Sequence, residues 1–194
     1  MSDRALHVVV AFNFTQSADA ALHRALDLAH RAGGYVFHFV CIIDPHTGVP
    51  AVVAEGKYDA QYAERVQQQL TIRIETEFAA NHVSGSVQFF THARFGDPAT
   101  EILLLAREVG ADLCIVGSHG LSGLERVLLG SVSEAVVRQA GCSVIVARPK
   151  SYADVKLLTI VEVEPDHQHP YVPPHRYSWE ETRVIERPLE WPLY

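Results

Sequence analysis

CIVGSHGLSGLERVLLGSVSEAVVRQA, residues 114–140, reads as a strand, a loop and a helix in that order. The apolar run from Leu113 to Val116 stops at Gly117, and a glycine-punctuated loop leads to Gly130-Ser131, where a helical pattern begins. The glycine spacing is Gly117-x2-Gly120-x9-Gly130-Ser131. Glycines at a strand end let the backbone turn with positive φ and approach a ligand closely. A small hydroxyl residue at a helix start lies beside unpaired N–H groups and the positive end of the helix dipole, which together favour an anion. The stretch therefore points to a phosphate cradle on a strand–helix unit.

The same unit repeats upstream. His7 to Phe12 (HVVVAF) is a buried strand, Asn13 to Ser17 supplies turn and cap chemistry, and a helix carries Ala18, Ala21, Leu22, Ala25, Leu26 and Ala29 on one stripe. Gly33-Gly34 stops it, and Tyr35 to Ile43 (YVFHFVCII) is the second strand. After a loop over 44–56, Tyr62, Val66, Leu70, Ile74 and Phe78 recur every four residues, which is a long amphipathic helix. Ser86 to His92 forms the third strand. Gly96-Asp97-Pro98 then places aspartate at an N-cap and proline at the first helical position, ahead of a stripe of Ile102, Leu105, Ala106 and Val109. Downstream, the helix from Ser131 to Ala140 ends at Gly141, and Ser143 to Ala147 is the fifth strand.

Strands that alternate with helices require right-handed crossovers and a parallel sheet covered on both faces. The fold class is α/β, a doubly wound, Rossmann-like domain over residues 1–149. Residues 150–194 form a C-terminal extension, with one more strand expected over 155–164 and an extended, proline-rich tail from Pro165.

Composition bounds the function. The chain has 194 residues, 48% hydrophobic and 20% charged, with a net charge of −7. Without a broad basic face it is not a general binder of nucleic acid or anionic membranes, although a local anion site needs no net positive charge. No apolar run approaches the ~20 residues of a membrane span and no leader peptide opens the chain, so a cytoplasmic location is expected. Cys41, Cys114 and Cys142 lie far apart in or beside apolar runs with no CxxC pair, which reads as buried, reduced thiols.

In open parallel sheets ligands bind beyond the carboxyl ends of the strands, where the strand order reverses. Two segments converge there: the loop after the fourth strand, and Ala11-Phe12-Asn13 after the first. The residues alone leave two readings of the glycine loop open. Ser131-Val132-Ser133-Glu134 can act as a capping box that satisfies the helix start without a ligand, or the loop can hold phosphate. It is neither a Walker A loop nor a GxGxxG fingerprint, and no GxSxG nucleophile elbow is present.

The segment closely resembles the nucleotide-binding signature of the universal stress protein family, G-x2-G-x9-G-[ST], matched by Gly117, Gly120, Gly130 and Ser131. The resemblance extends over residues 5–149. It implies an adenine nucleotide alpha hydrolase-like sheet of order 3-2-1-4-5, ATP or a related adenine nucleotide as ligand, a stress-response role, and a homodimer paired through Ser143 to Ala147. By the same resemblance, backbone N–H groups of Gly117, His119, Gly120, Gly130, Ser131 and Val132 hold the phosphates. The hydroxyls of Ser131 and Ser133 add hydrogen bonds. Val116 and Ile42 flank the adenine and ribose, with Ala11 and Asn13 closing the first-strand side.

One position departs from the family pattern. Its ATP-binding members carry an aspartate after the first strand, where this chain has Asn13, and a neutral amide offers no charge to a magnesium ion. Binding without significant turnover is therefore expected, and no residue is assigned as catalytic. Phe12 beside it is expected to narrow the pocket. Competing readings are a slow ATPase and a dimeric interaction protein that binds no nucleotide and meets an unidentified partner through its tail. His119 as a base, Arg126 as a phosphate ligand and a metal cluster of His167, His169 and His175 are the weaker candidates beside solvated polar roles.

Overall fold

The computed structural model describes residues 4–31, 34–44, 46, 57–83, 87–118, 129–149, 176–180 and 183–187. The chain divides into two units, Met1–Pro149 and Lys150–Tyr194. The first contains β1 (Leu6–Ala11), α1 (Gln16–Arg31), β2 (Tyr35–Ile43), α2 (Ala60–Ala80), β3 (Gln88–Phe95), α3 (Pro98–Glu108), β4 (Leu113–Gly117), α4 (Ser131–Gln139) and β5 (Ser143–Ala147). The strands form one sheet in the order β3-β2-β1-β4-β5, and each neighbouring pair is parallel.

The two-residue period of each strand sends alternate side chains to opposite faces. Val8 and Val10 of β1 and Phe37 and Phe39 of β2 pack against Leu22 and Leu26 of α1 and Val66, Leu70 and Ile74 of α2. Val9, Val40, Cys114 and Val116 point the other way, onto Ile102 and Leu105 of α3 and Val136 of α4. Burial on both faces is why the strands read as unbroken apolar runs rather than alternating ones.

Local chemistry sets most helix ends. Thr15 Oγ1 accepts from Ala18 N, Asp59 caps α2 by accepting from Tyr62 N at 3.0 Å, and Asp97 caps α3 by accepting from Thr100 N at 2.9 Å, with Pro98 at the first helical position. The start of α4 departs from the expected capping box. Its N-cap is Gly130, with no side-chain cap bond, and Ser131 is already inside the helix. That one-residue shift puts Glu134 at the fourth helical position, out of reach of the cap N–H, and it pairs with Arg138 at 2.8 Å instead.

Two strand assignments change. β3 runs on to Phe95, beyond the expected His92, because Arg94 is neutralised in place by Glu101 at 2.9 Å and Glu108 at 2.7 Å on α3. The second unit holds an antiparallel pair, β6 (Arg176–Glu180) and β7 (Arg183–Arg187), with Trp179 opposite Val184, where an extended tail was expected. Tyr177 and Trp179 do alternate with polar residues there, but flanking prolines such as Pro174 and Pro188 mask so short a period. The expected strand over 155–164 lies outside the described residues. Among those described, no helix is long and apolar enough to cross a membrane.

Candidate functional site

The sheet brings the two predicted segments together. Val10 of β1 lies opposite Ile115 of β4, so Ala11 and Val116 end on neighbouring strands. Ala11, Ile42, Val116 and Val132 all pack into the apolar cluster on the α3 and α4 side of the sheet. Val116 and Ile42 are expected to flank the base and ribose, Ala11 to close the first-strand side and Val132 to give a backbone N–H to phosphate; the four share one face although they come from separate elements.

Beyond β1 the chain turns tightly. Asn13 Oδ1 accepts from Thr15 Oγ1 at 2.6 Å and from Thr15 N at 3.3 Å, an Asx-type turn that leads into the Thr15 cap of α1. Among the described residues nothing engages the Asn13 amide nitrogen, which leaves a donor at this edge. Phe14 takes a positive φ of 60° in the turn. Phe12 does not narrow the site: it is 2% exposed and packs in the core, with its ring edge-on to Phe14 at 5.1 Å and the Arg73 guanidinium 5.9 Å from its centre. A side chain so enclosed has no surface left for a ligand.

The other half of the site is backbone. A Cβ on Gly117 would lie 2.5 Å from the Ser17 carbonyl oxygen, so only glycine lets the end of β4 pass the first turn of α1. Ser118 N donates to Ala147 O at 3.0 Å, and Ser118 O accepts from Gly130 N at 2.9 Å. These two bonds pin the start of α4 beside the ends of β4 and β5. Gly130 sits at φ −61° and ψ 150°, without a side chain over the helix start, and Ser131 beside it is exposed. The first N–H groups of a helix have no intrahelical partner, and among the described residues no capping side chain covers them.

Ser133 plays a different part from the one expected. It is 4% exposed and its hydroxyl donates to Gly117 O, so its proton is committed to tying α4 to β4 rather than to a phosphate. His119 and Gly120 lie outside the described residues, as do Arg126, His167, His169 and His175. Among the described residues no three histidine, cysteine or acidic side chains converge as metal ligands. Sequence reasoning missed Ser17 and Ser118. The Thr15 cap was legible as a hydroxyl residue three places before a helical apolar stripe, whereas Ser17 and Ser118 act through backbone that leaves no compositional trace.

A separate groove of about 850 Å³ runs between α3 and α4. Ser131 and Val132 line it together with Asp97, Thr100, Arg107 and Cys142. The Thr100 hydroxyl, and then its backbone N–H, hold the Asp97 carboxyl below its ordinary value. This groove follows helix flanks, while the converging glycines and Asn13 sit at strand ends, so it is a neighbour of the candidate site and not the site itself.

A sequence model of the universal stress protein family matches residues 5–148. The chain belongs to the universal stress protein family. A Staphylococcus epidermidis protein named for this family is 35% identical over 145 residues, covering 73% of this chain and 83% of its own length. Two solved universal stress proteins share the fold. One, in complex with cAMP, has a TM-score of 0.52 at 24% identity and covers 75% of this chain and 98% of its own. The other, from Arabidopsis thaliana with AMP bound, has a TM-score of 0.51 at 17% identity and covers 78% and 97%. Gly117 and Gly130 of this chain thus stand at the carboxyl edge of the family fold, with Asn13 beyond the end of β1.

Proposed function

We propose that this protein binds ATP or a related adenine nucleotide at the carboxyl ends of β1 and β4, as a stress-response regulator with little or no turnover. The observation that carries the reading is the start of α4: a helix N-terminus with no side-chain cap among the described residues, fronted by Gly130 and held against Gly117 by the Ser133 and Ser118 bonds. Orphan N–H groups at Ser131 and Val132 suit a phosphate. Ile42 and Ala11, both part-exposed at the strand ends, offer apolar surface to the adenine beside the buried Val116, and the Asn13 amide nitrogen can donate to ribose or base. The family's solved members bound to cAMP and AMP support an adenine nucleotide as the ligand class.

Asn13 is what favours holding over hydrolysis. Its Oδ1 already accepts from Thr15 and it carries no charge, so it neither anchors a magnesium ion nor activates a water. β5 has β4 on one side and, among the described residues, no strand on the other, an edge that fits pairing with a second copy in a homodimer.

The test is mass spectrometry of nucleotide released from the purified, denatured chain, repeated with Gly130→Val. Valine tolerates the Gly130 backbone angles, so the variant is expected to fold while its side chain crowds the helix start. The wild-type chain is expected to release adenine nucleotide, or to gain thermal stability when ATP, AMP or cAMP is added, and the variant to lose either property. No released nucleotide and no shift with any of the three would sink the reading in favour of an interaction protein. Steady conversion of added ATP to ADP would replace it with the ATPase reading.

A further inference from the structure

Two of the three cysteines meet. Cys114 lies within β4 and Cys142 in the bend just before β5, and their sulfurs are 3.6 Å apart although 28 positions separate them. The register explains the meeting. Cys114 is opposite Val144, so Cys142, two residues earlier, falls on the same face of the sheet, one pleat repeat back along the neighbouring strand. Both belong to the cluster under α3 and α4.

The two thiols differ in access. Cys114 is fully buried, whereas Cys142 is half-buried and lines the groove between α3 and α4, alongside Arg107, Gly110 and Gly141. Burial, with the neighbouring thiol adding to it, pushes the Cys114 thiol up to about 12, so it is a poor first nucleophile. Cys142 is the sulfur that a small molecule in the groove reaches. A disulfide needs the sulfurs at about 2.05 Å, an approach of about 1.5 Å from their present separation. The strand ladder between β4 and β5 begins at Leu113 and Ser143, so Cys142 sits ahead of the hydrogen-bonded strand. Gly141 beside it has open space around its Cα.

We propose that Cys142 is a site of reversible oxidation by hydroperoxides, with Cys114 as the thiol that resolves it into an intramolecular disulfide. In the first step the Cys142 sulfur attacks the peroxide, an S–O bond forms, the O–O bond breaks, and the departing oxygen leaves as water or alcohol with the thiol proton. In the second step the Cys114 sulfur attacks the Cys142 sulfenic acid, the S–S bond forms, and the hydroxyl leaves as water with the Cys114 proton. The two sulfurs together lose two electrons and the peroxide oxygens gain them. Cys41 takes no part: it is fully buried on the opposite face of the sheet, and burial raises its thiol to about 12. The disulfide closes a loop that contains the glycine segment and all of α4, so it staples the bend after the helix to the core of β4.

The full-length chain, reduced and then exposed to hydrogen peroxide, is quenched with an alkylating reagent and digested for mass spectrometry. The expected result is a peptide linking Cys114 to Cys142, an intact mass lower by two hydrogens before alkylation, and Cys41 still alkylated, all reversed by dithiothreitol. In Cys114→Ser, Cys142 is expected to accumulate as a sulfenic acid trapped by dimedone, and in Cys142→Ser, Cys114 stays reduced. Full alkylation of all three cysteines after peroxide overturns the proposal. So does a disulfide joining Cys142 to a second copy, or oxidation of Cys114 that persists in Cys142→Ser. The wild-type measurement needs no variant to fold.

Discussion

Gly117 and Gly141 respond oppositely to an added methyl group, because one is enclosed by backbone and the other faces open space. At Gly117 a Cβ would meet the Ser17 carbonyl oxygen at 2.5 Å and its hydroxyl at 2.7 Å, and a backbone atom cannot swing away as a flexible side chain would. Gly117→Ala is therefore expected to lower stability by about 2–3 kcal/mol, the cost of overpacking a closed site. At Gly141 nothing lies within 4 Å and φ is not in the left-handed region, so Gly141→Ala removes unfolded-state entropy and is expected to raise stability by about 0.5 kcal/mol. Urea midpoints with unchanged slopes check both; a neutral Gly117→Ala would mean that β4 and α1 do not approach as closely as described. The spacing of Gly117 was visible in the chain, but its reason was not, since Ser17 is one hundred residues away and contributes through its main chain.

The four helices among the described residues differ in how their starts are satisfied, and the difference is measurable. Asp97 accepts from both the N–H and the hydroxyl of Thr100, so Asp97→Ala is expected to cost about 1 kcal/mol. Among the described residues Glu134 makes only an exposed pair with Arg138, so Glu134→Ala is expected to cost no more than about 0.5 kcal/mol, whereas a capping-box glutamate would cost as much as Asp97. Equal losses in chemical denaturation would restore the capping box and cover the helix start on which the proposed phosphate binding rests. Element identity was legible because strands buried on both faces and helices with a single apolar stripe leave different periods, as in Tyr35–Ile43 and in Tyr62 to Ile74. What escaped depends on partners distant in sequence. β3 extends through Arg94 only because two α3 carboxylates neutralise it. Ser133 and Phe12 carry the residue types a ligand site uses, yet the first is turned onto Gly117 and the second into the core by packing that no local pattern records. For the candidate site, glycine positions were readable and side-chain directions were not.

Three histidines couple the sheet as a whole to pH. His7 Nδ1 lies 3.0 Å from His38 Nε2, and His38 Nδ1 lies 3.2 Å from His92 Nε2, so one chain of imidazoles crosses β1, β2 and β3. A neutral imidazole donates at one nitrogen and accepts at the other, which lets all three align head to tail. Burial chiefly, then the charges of His92 and His7, holds His38 at about 4 rather than 6.5. His92 is lowered too, by burial and then by Arg94, with Glu108 opposing. Because the folded chain resists a proton that the unfolded chain accepts, stability is fully present above pH 6.5 and falls as the pH drops toward about 4. Allowing for solvent screening, His38 alone accounts for a loss of about 2 kcal/mol across that window. The carboxylates of Asp97, Asp112 and Glu108 are held low by hydrogen bonds, so they lose their contribution only below their ordinary values of 3.8 to 4.5. The two causes therefore separate on the pH axis. Urea unfolding from about pH 7.5 to about pH 4.5 is expected to show a steady loss in the wild-type chain and a flattened slope in His38→Leu, even if that variant starts from lower stability. An unchanged slope in His38→Leu would move the pH response off His38 and onto the other lowered imidazole of the chain, His92, because the carboxylates act only below this window.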